Sequence, residues 1–342
     1  MQRKLVLVLI AMVVCLPLIN MPSVANAQNC TRVVESAECK FGLPAGEYDG
    51  LFGTMQANPA PAVQQIGVDQ GELSRFSFWR LSGDSITFYD APNGNALGTI
   101  DPGFNFTGIL RRDGDWVEIA PNHWIPESDL AGVRASSFSG VMLGGLPLQM
   151  AWIVKYVRAS QVPGGKGQGA ILQRYTRVFI YKAVQVGQWE WYLIGPGQWV
   201  EQRNVSRLNL TGAPGGVGGR WVAVDLYEQV LVAYDGGNPV FATLISSGLR
   251  RFPTREGVFK VWARKTTDAM SGAMGGPDYY ALPSVPYVLY FDKDISLHGT
   301  YWHDEFGLQH SHGCVNMSVT DARWIFDFTN NSDTTVVVWR SR

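Results

Sequence analysis

Apolar and polar positions alternate with a period of two over much of the last third of the chain. Val222, Val224 and Leu226 are separated by single residues, and this spacing predicts a β-strand. Further short apolar runs follow this strand. A turn sequence at 235–238 separates the second predicted strand from the third. The pattern predicts that this region opens as an antiparallel meander and closes on a last strand. The predicted strands are 221–227, 229–234, 239–246, 287–291, 295–297 and 335–339.

One segment of this region has the features of a helix. Residues 319–328 follow Ser318, whose hydroxyl can accept a hydrogen bond from the first turn, and Asp321 lies in that turn. A serine cap and an early acidic residue both stabilise the N-terminus of a helix. We therefore expect one clear helix, close to the C-terminus.

Two segments in the middle of the chain resemble each other at an offset of 75 residues. In 116–125 and 191–200, Trp, Ile, Pro and Trp coincide without a gap. Each segment predicts a strand, a turn with proline and a second strand. Together with strand-like runs upstream, each unit would span about 60 residues, a size typical of a small barrel.

Composition supports this view of a β-rich protein. The 342 residues include 38 Gly, 18 Pro and 12 Trp, which favours short strands and turns over long helices. With 46% hydrophobic and 17% charged residues, the chain is too apolar for a disordered protein. The length predicts two or three domains. No basic patch is dense enough to indicate nucleic-acid binding.

Residues 1–27 resemble a secretory signal peptide. Arg3 and Lys4 precede an apolar run at 5–16, and the small-x-small sequence at 25–27 marks a cleavage site. We expect the mature protein to act outside the cytoplasm, in the extracellular space or periplasm; the alternative is an uncleaved N-terminal anchor. Without the two basic residues, 26 Lys and Arg face 29 Asp and Glu, a net charge of −3.

Three cysteines remain after this segment. Cys30 and Cys39 lie in a short polar stretch and can close a disulfide loop in an oxidising compartment. Cys314 is then left over. A lone cysteine in an exported protein is a candidate reactive thiol, although free cysteines are also often buried and inert.

The surroundings of Cys314 favour a nucleophile. It follows Ser311-His312-Gly313 and precedes Val315-Asn316, and His298 lies sixteen residues upstream. A nearby imidazole and backbone donors can lower the pKa of a thiol. Gly313 would let the backbone approach a substrate, and the N–H groups of Gly313 and Cys314 could face a developing oxyanion.

A zinc site is the competing interpretation. His310, His312 and Cys314 alternate and would point to one face of a strand, and His298 would complete a four-ligand set. A glycine and a helix cap in the same stretch argue against three parallel side chains. We expect His303 and His310 to be exposed loop residues, and we predict no metal.

The motif resembles the catalytic domain of the L,D-transpeptidases, cysteine enzymes that cross-link peptidoglycan. Their signature is a histidine, a gap, and then Ser/Thr-His-Gly-Cys followed by an apolar residue and Asn or Arg, which 311–316 fits at every position. The sequences at 246–248 and 252–259 agree with the family as well, and the resemblance spans about 220–339. Arg255 stands where proline is usual, and His298 lies only thirteen residues before Ser311.

The resemblance implies roles for individual residues. Cys314 would attack the carbonyl of the third residue of a tetrapeptide stem and expel D-alanine, while His298 would hold or take the thiol proton. The Gly299 carbonyl would orient the imidazole. Pocket-shaping and substrate-binding positions would be His312, Asn316, Ser311, Tyr280 and Trp302. No cofactor is implied.

The same resemblance leaves the acceptor open. An amine from a second stem peptide would give a 3→3 cross-link, water would give a carboxypeptidase, and a wall protein would be anchored. Carbapenem-type β-lactams are the implied inhibitors. Cysteine peptidases of the cell wall differ, because in them the cysteine precedes the histidine. A non-catalytic wall-binding protein is disfavoured because both Cys314 and His298 are present.

The repeated units resemble bacterial SH3-like domains. They would serve as wall-binding or spacer modules; alternatively, Trp116, Trp124, Trp191 and Trp199 only fill two barrel cores. The expected fold is mainly β, with two small SH3-like barrels followed by a β-rich catalytic domain with one or two short helices. The expected domains are a signal peptide at 1–27, an N-terminal segment at 28–70, SH3-like domains at 71–132 and 150–210, a Gly-rich linker at 211–219 and a catalytic domain at 220–342.

Overall fold

The structure is a computed structural model that describes residues 30–83, 85–272, 276, 278–329 and 333–342. The predicted signal segment, 1–27, lies outside the described residues. The fold class is confirmed as mainly β. No α-helix in the described part of the chain is long and apolar enough to span a membrane.

The C-terminal domain is built on two packed sheets. Strand β21 lies at the centre of the first sheet, antiparallel to β22 and parallel to the last strand, β29. The strands of this domain are β21 (Arg220–Asp225), β22 (Val230–Asp235), β23 (Asn238–Leu244), β24 (Gly257–Lys260), β25 (Ala263–Gly272), β26 (Tyr280–Asp292), β27 (Ile295–Thr300), β28 (Val315–Ser318) and β29 (Thr335–Trp339). The predicted antiparallel opening of the domain is therefore confirmed.

The second sheet carries β26, β27 and β28, with β25 paired to β26. Its buried side chains, including Leu297 and Val315, meet Val222 and Leu231 of the first sheet in one apolar core. The C-terminal helix of this domain spans Val319–Phe328. Ser318 caps it as predicted, accepting from the Asp321 N–H at 3.1 Å.

Both faces of β21 are buried, which the alternating pattern alone does not reveal. Val222 and Val224 face the core between the sheets. Trp221 and Ala223 face the other way, into a second core that includes Trp152 of the second repeated unit. The second unit thus covers the outer face of the first sheet.

The first repeated unit contains eight short strands: β4 (Trp79–Leu81), β5 (Ile86–Tyr89), β6 (Ala96–Ile100), β7 (Phe104–Thr107), β8 (Arg111–Asp113), β9 (Trp116–Ala120), β10 (His123–Pro126) and β11 (Leu130–Gly132). Five of them form a sheet in the order β6-β5-β10-β9-β8. The other three join the second catalytic sheet, because β7 pairs in parallel with β26 at Phe104 and Tyr280.

The second unit repeats the closing elements of the first. Its strands are β13 (Met150–Ile153), β14 (Val157–Arg158), β15 (Ile171–Leu172), β16 (Arg177–Phe179), β17 (Lys182–Val186), β18 (Trp189–Gly195), β19 (Gln198–Glu201) and β20 (Val205–Arg207). In each unit a hairpin leads into a short 3-10 helix, Glu127–Asp129 or Gln202–Asn204, and then a last strand. The two predicted hairpins are present.

Segment 30–70 packs against the second unit. Cys30 and Cys39 are disulfide-bonded, as predicted. The remaining elements are β1 (Cys39–Lys40), β2 (Leu43–Pro44), α1 (Ala45–Ala57), β3 (Gln64–Gln65), α2 (Gln70–Arg75) and β12 (Val141–Met142), and we number the helix Val319–Phe328 α3. Trp199 lies against Leu43 and Tyr48 of this segment, and its indole N–H donates to the Phe41 carbonyl at 2.8 Å. It therefore binds the segment rather than filling the core of its own unit.

Candidate active site

A cavity of about 410 Å³ opens where β27, β28 and the first unit meet. The thiol of Cys314 and the imidazole of His298 both line it. The other sequence-predicted residues on its wall are Ser311, His312, Asn316, Tyr280 and Trp302. The fold thus brings together in one cavity seven of the nine residues singled out from sequence; Gly299 and Gly313 lie behind them in the strand and the turn.

The turn before Cys314 is held by hydrogen bonds within the turn. Gly313 has a φ of +121°, which disfavours any residue with a side chain, and a Cβ there would lie 2.6 Å from Ile295 Cδ1. Its N–H donates to Ser311 Oγ at 3.1 Å. Ser311 in turn donates to the Cys314 carbonyl. In this conformation Ser311 already accepts from the Gly313 N–H, and its role toward an oxyanion stays a prediction.

Hydrogen bonds from segment 246–254 support the same turn. Thr254 Oγ1 accepts from Gly248 N–H at 2.9 Å and donates to the Gly313 carbonyl at 2.7 Å. The backbone of Ser246 exchanges two hydrogen bonds with that of Asn316. These contacts give a physical reason for the upstream sequence pattern: it fixes the backbone on both sides of Cys314.

The thiol itself contacts the turn before β27. Cys314 Sγ lies 3.6 Å from Ser296 Oγ and 4.0 Å from the Asp294 carbonyl. The side chain is half-buried, and burial raises the pKa of the thiol. In this state the site therefore holds a neutral thiol at neutral pH, not a thiolate.

The His298 imidazole is almost fully buried, and its orientation is fixed. Nδ1 lies 3.0 Å from the Gly299 carbonyl, the contact expected from sequence. This bond leaves Nε2 as the nitrogen that can accept a proton. Desolvation lowers the pKa of His298 to about 4. The Trp302 ring lies 5.8 Å away, on the cavity side. At neutral pH the imidazole is a neutral base.

His312 lies between two aromatic rings. Its imidazole centroid is 4.5 Å from that of Phe252 and 5.2 Å from that of Tyr280. Burial lowers the pKa of His312. Its Nε2 is buried and has no hydrogen-bond partner among the described residues.

Asn316 connects the cavity to the loop between β27 and β28. It is buried, and its Nδ2 lies 2.9 Å from His303 Nε2. His303 also stacks on His310 at 4.1 Å, and His310 Nδ1 is 2.9 Å from Glu305. The prediction that His303 and His310 are exposed is wrong: both are half-buried, and they hold this loop together through ring and polar contacts.

The four residues of the competing zinc hypothesis point to different neighbours. His310 faces Glu305, His312 faces two aromatic rings, and Cys314 faces Ser296. In the residues that the structure describes, no group of three or more His, Cys, Asp or Glu side chains is placed to hold a metal ion.

Sequence reasoning missed two parts of the site. Ser296 was seen only as part of a strand, yet it lies two residues before His298, and side chains two apart share one face of a strand. That spacing could have identified it. Arg80, Gly103 and Phe104 of the first unit also line the cavity, and no local signal marks them.

Arg255, which departs from the family pattern, has a structural partner. Its Nε lies 2.8 Å from Asp292 Oδ2. Asp292 ends β26, two residues before the Asp294 carbonyl that approaches the thiol. The substitution for proline thus adds an ion pair beside the turn on which the thiol rests.

Comparison with known proteins gives the same assignment for this domain. Residues 219–338 match the family model of the L,D-transpeptidase catalytic domain, YkuD. YciB of Bacillus subtilis (strain 168), itself a candidate L,D-transpeptidase, is 28% identical over 120 residues, 31% of this chain and 59% of that protein. The match thus spans about three fifths of that relative's length.

Solved structures are similar to part of this chain. The catalytic domain from the E. faecium L,D-transpeptidase is 29% identical, covering 36% of this chain and 100% of that chain, with a TM-score of 0.33. An L,D-transpeptidase from Mycobacterium smegmatis is 19% identical, covering 44% and 67%, with a TM-score of 0.34. The family match identifies residues 219–338, which hold Cys314 and His298, as an L,D-transpeptidase catalytic domain.

Proposed function

We propose that the protein is an exported L,D-transpeptidase that forms 3→3 cross-links in peptidoglycan through a thioester on Cys314. The observation that carries this proposal is the placement of Cys314 and His298 on one cavity wall of the matched domain. His298 lies on β27, and Cys314 directly precedes β28, the parallel neighbour of β27, with His298 opposite Asn316.

Because the Cys314 thiol and the His298 imidazole are both neutral, the first step includes a proton transfer between them. As Sγ attacks the carbonyl carbon of the third stem residue, His298 Nε2 takes the thiol proton. The C–N bond to D-alanine breaks, and the imidazolium returns the proton to the departing amine. The product is a thioester and free D-alanine. With the Gly313 N–H engaged, the Cys314 N–H is the candidate donor to the oxyanion.

The second step uses an amine from another stem peptide. The amine attacks the thioester carbonyl, the C–S bond breaks, and the amine proton passes through His298 to the sulfur. Water in place of the amine would make the protein an L,D-carboxypeptidase, and a wall protein in place of the stem would make it an anchoring enzyme.

Incubation with a carbapenem tests the nucleophile. We expect intact mass to show one covalent adduct on the protein and none on Cys314→Ala. A structure of the E. faecium catalytic domain is described as acylated by ertapenem, which makes ertapenem a suitable probe. Absence of an adduct, together with no turnover of tetrapeptide stems, would favour a non-catalytic wall-binding protein.

Purified muropeptides test the acceptor. Cross-linked dimers with loss of D-alanine support the transpeptidase, whereas tripeptides without dimers show the carboxypeptidase. We further propose that the repeated units at 71–132 and 150–210 are SH3-like domains and that the mature protein is cell-wall associated. Pull-down of each unit by insoluble wall material would test whether that unit binds the wall.

A further inference from the structure

The first repeated unit forms one wall of the catalytic cavity. Gly103 and Phe104 at the start of β7 line it, together with Arg80 on β4. The pairing of β7 with β26 places Phe104 opposite Tyr280, and the Tyr280 ring lies against His312, two residues from the thiol. Phe104, Tyr280 and His312 therefore form a row of side chains from the first unit toward the Cys314 thiol.

Arg80 gives this wall a positive charge. Among the described residues that line the cavity it is the only Lys or Arg. Its guanidinium lies 5.3 Å from the Phe104 ring centroid, and no salt bridge to it occurs among the described residues. An arginine stacked on an aromatic ring keeps its planar set of donors free for a carboxylate.

The acidic residues of the cavity lie elsewhere. Asp278 is paired with Arg251 at 2.6 Å. Asp294 lies beside the thiol, and its backbone carbonyl approaches the sulfur. Among the described residues that line the cavity, Arg80 is therefore the group that attracts a substrate carboxylate.

We propose that Arg80 binds a carboxylate of the peptide donor, so that the first repeated unit is part of the substrate-binding site. The proposal rests on the proposed function for the reaction itself. Two carboxylates could be the ligand: the C-terminal one of the stem, and a free side-chain carboxylate on its third residue. A donor peptide in which one of these carboxylates is converted to an amide shows which of the two is the ligand.

Peptide binding to the Cys314→Ala protein tests this without turnover. A synthetic tetrapeptide stem is titrated by calorimetry, as the free acid and with either carboxylate amidated. We expect Arg80→Gln to raise the Kd of the free acid about tenfold, and Arg80→Lys to recover part of the loss. The recognised carboxylate is the one whose amidation weakens binding to the Arg80 protein but not to Arg80→Gln.

Arg134→Gln is the matched control, because Arg134 is an exposed residue two positions after β11 and is not among the residues that line the cavity. The tenfold difference should also shrink at high salt, since Arg80 is exposed. Unchanged binding in Arg80→Gln, equal losses for amidated donors in both proteins, or no measurable peptide binding would each overturn the proposal. If peptides bind through Arg80 but wild type neither reacts with a carbapenem nor turns over stems, the reaction is wrong and the subsite stands.

Discussion

The two repeated units end in the same order of elements but meet the catalytic domain through different surfaces. The first unit extends the sheet of the active site, with Phe104 on β7 beside Tyr280 on β26. The second presents Trp152 to the back of the other sheet, in a core shared with Trp221. The first unit therefore lines the cavity that holds Cys314 and His298, whereas the second packs against the back of the other sheet.

The difference shows that a repeated sequence predicts a repeated local structure but not its use. Each unit has a hairpin and a 3-10 helix at corresponding positions. The units differ in the strand that contacts the catalytic domain. In the first unit β7 pairs with β26, and in the second β13 packs Trp152 against Trp221. Variants in the two units should consequently affect different properties: substrate affinity for the first, and stability for the second.

The largest effect is expected at His298, which lies in the catalytic domain and in neither repeated unit. His298→Gln removes the base that takes the thiol proton, and loss of a general base costs roughly 10²–10⁴-fold in rate. We expect the second-order rate constant for carbapenem acylation to fall by that factor while thermal unfolding shows a folded protein. A fall of less than about tenfold would show that His298 does not take the thiol proton.

The pH dependence follows from the burial of the same imidazole. Its pKa of about 4 keeps it neutral above about pH 5, and the raised thiol pKa keeps the sulfur protonated. An imidazole with an ordinary pKa would make the rate change between about pH 5 and 8. The buried pair instead predicts a level acylation rate from about pH 5 to 8 and, at about pH 3.5, a rate of about a quarter of that level, as His298 gains a proton.

Acylation measured from pH 3.5 to 8 checks this, with tryptophan fluorescence at each pH to show that the protein stays folded. The reaction of a small thiol with the same carbapenem provides the background. A continuous tenfold rise per unit through neutral pH would mean that a small thiolate fraction reacts instead.

The next largest effect concerns the second unit. Trp152 is fully buried against the catalytic sheet, so Trp152→Ala should lower the free energy of unfolding by about 3–5 kcal/mol. Ile125→Ala in the first unit is the comparison, because Ile125 is also fully buried but lies in that unit's own core. Urea titration read by carbapenem adduct formation reports on the catalytic domain alone. We expect the midpoint to shift for Trp152→Ala and to stay for Ile125→Ala.

The parts that sequence could predict are those fixed by local pattern. The cap at Ser318, the strand at Trp221 and the hairpins follow from neighbouring residues and were found. The pairing of β7 with β26 at Phe104 and Tyr280 joins residues far apart in the chain. Periodicity contains no information on such pairs, so the catalytic motif was recognised while one wall of its cavity was missed.

A smaller effect is expected where the first unit meets the cavity. A Cβ on Gly103 would lie 2.8 Å from Tyr279 Cδ1 and 3.0 Å from its carbonyl, so Gly103→Ala must move β7 away from β26. Overpacking of this kind costs about 1–3 kcal/mol. We expect KM for a tetrapeptide donor to rise about tenfold, with kcat changed little.

Gly108→Ala is the control for this variant, since a Cβ on Gly108 meets no atom within 4 Å. Steady-state kinetics on both variants provide the measurement. Equal KM values for Gly103→Ala and wild type would show that the first unit does not shape the site, and the comparison between the units would lose its basis.

The smallest effect is expected from a single contact between the second unit and the loop between β27 and β28. The Tyr175 hydroxyl donates to the Asp304 carbonyl at 2.7 Å, and Asp304 follows His303, which contacts Asn316. Tyr175→Phe removes a hydrogen bond with a net contribution of about 1 kcal/mol. We therefore expect a rise in KM of about twofold to fivefold, measured with the same donor. A rise larger than that of Gly103→Ala would mean that the second unit also controls substrate binding, through the loop rather than through the cavity wall.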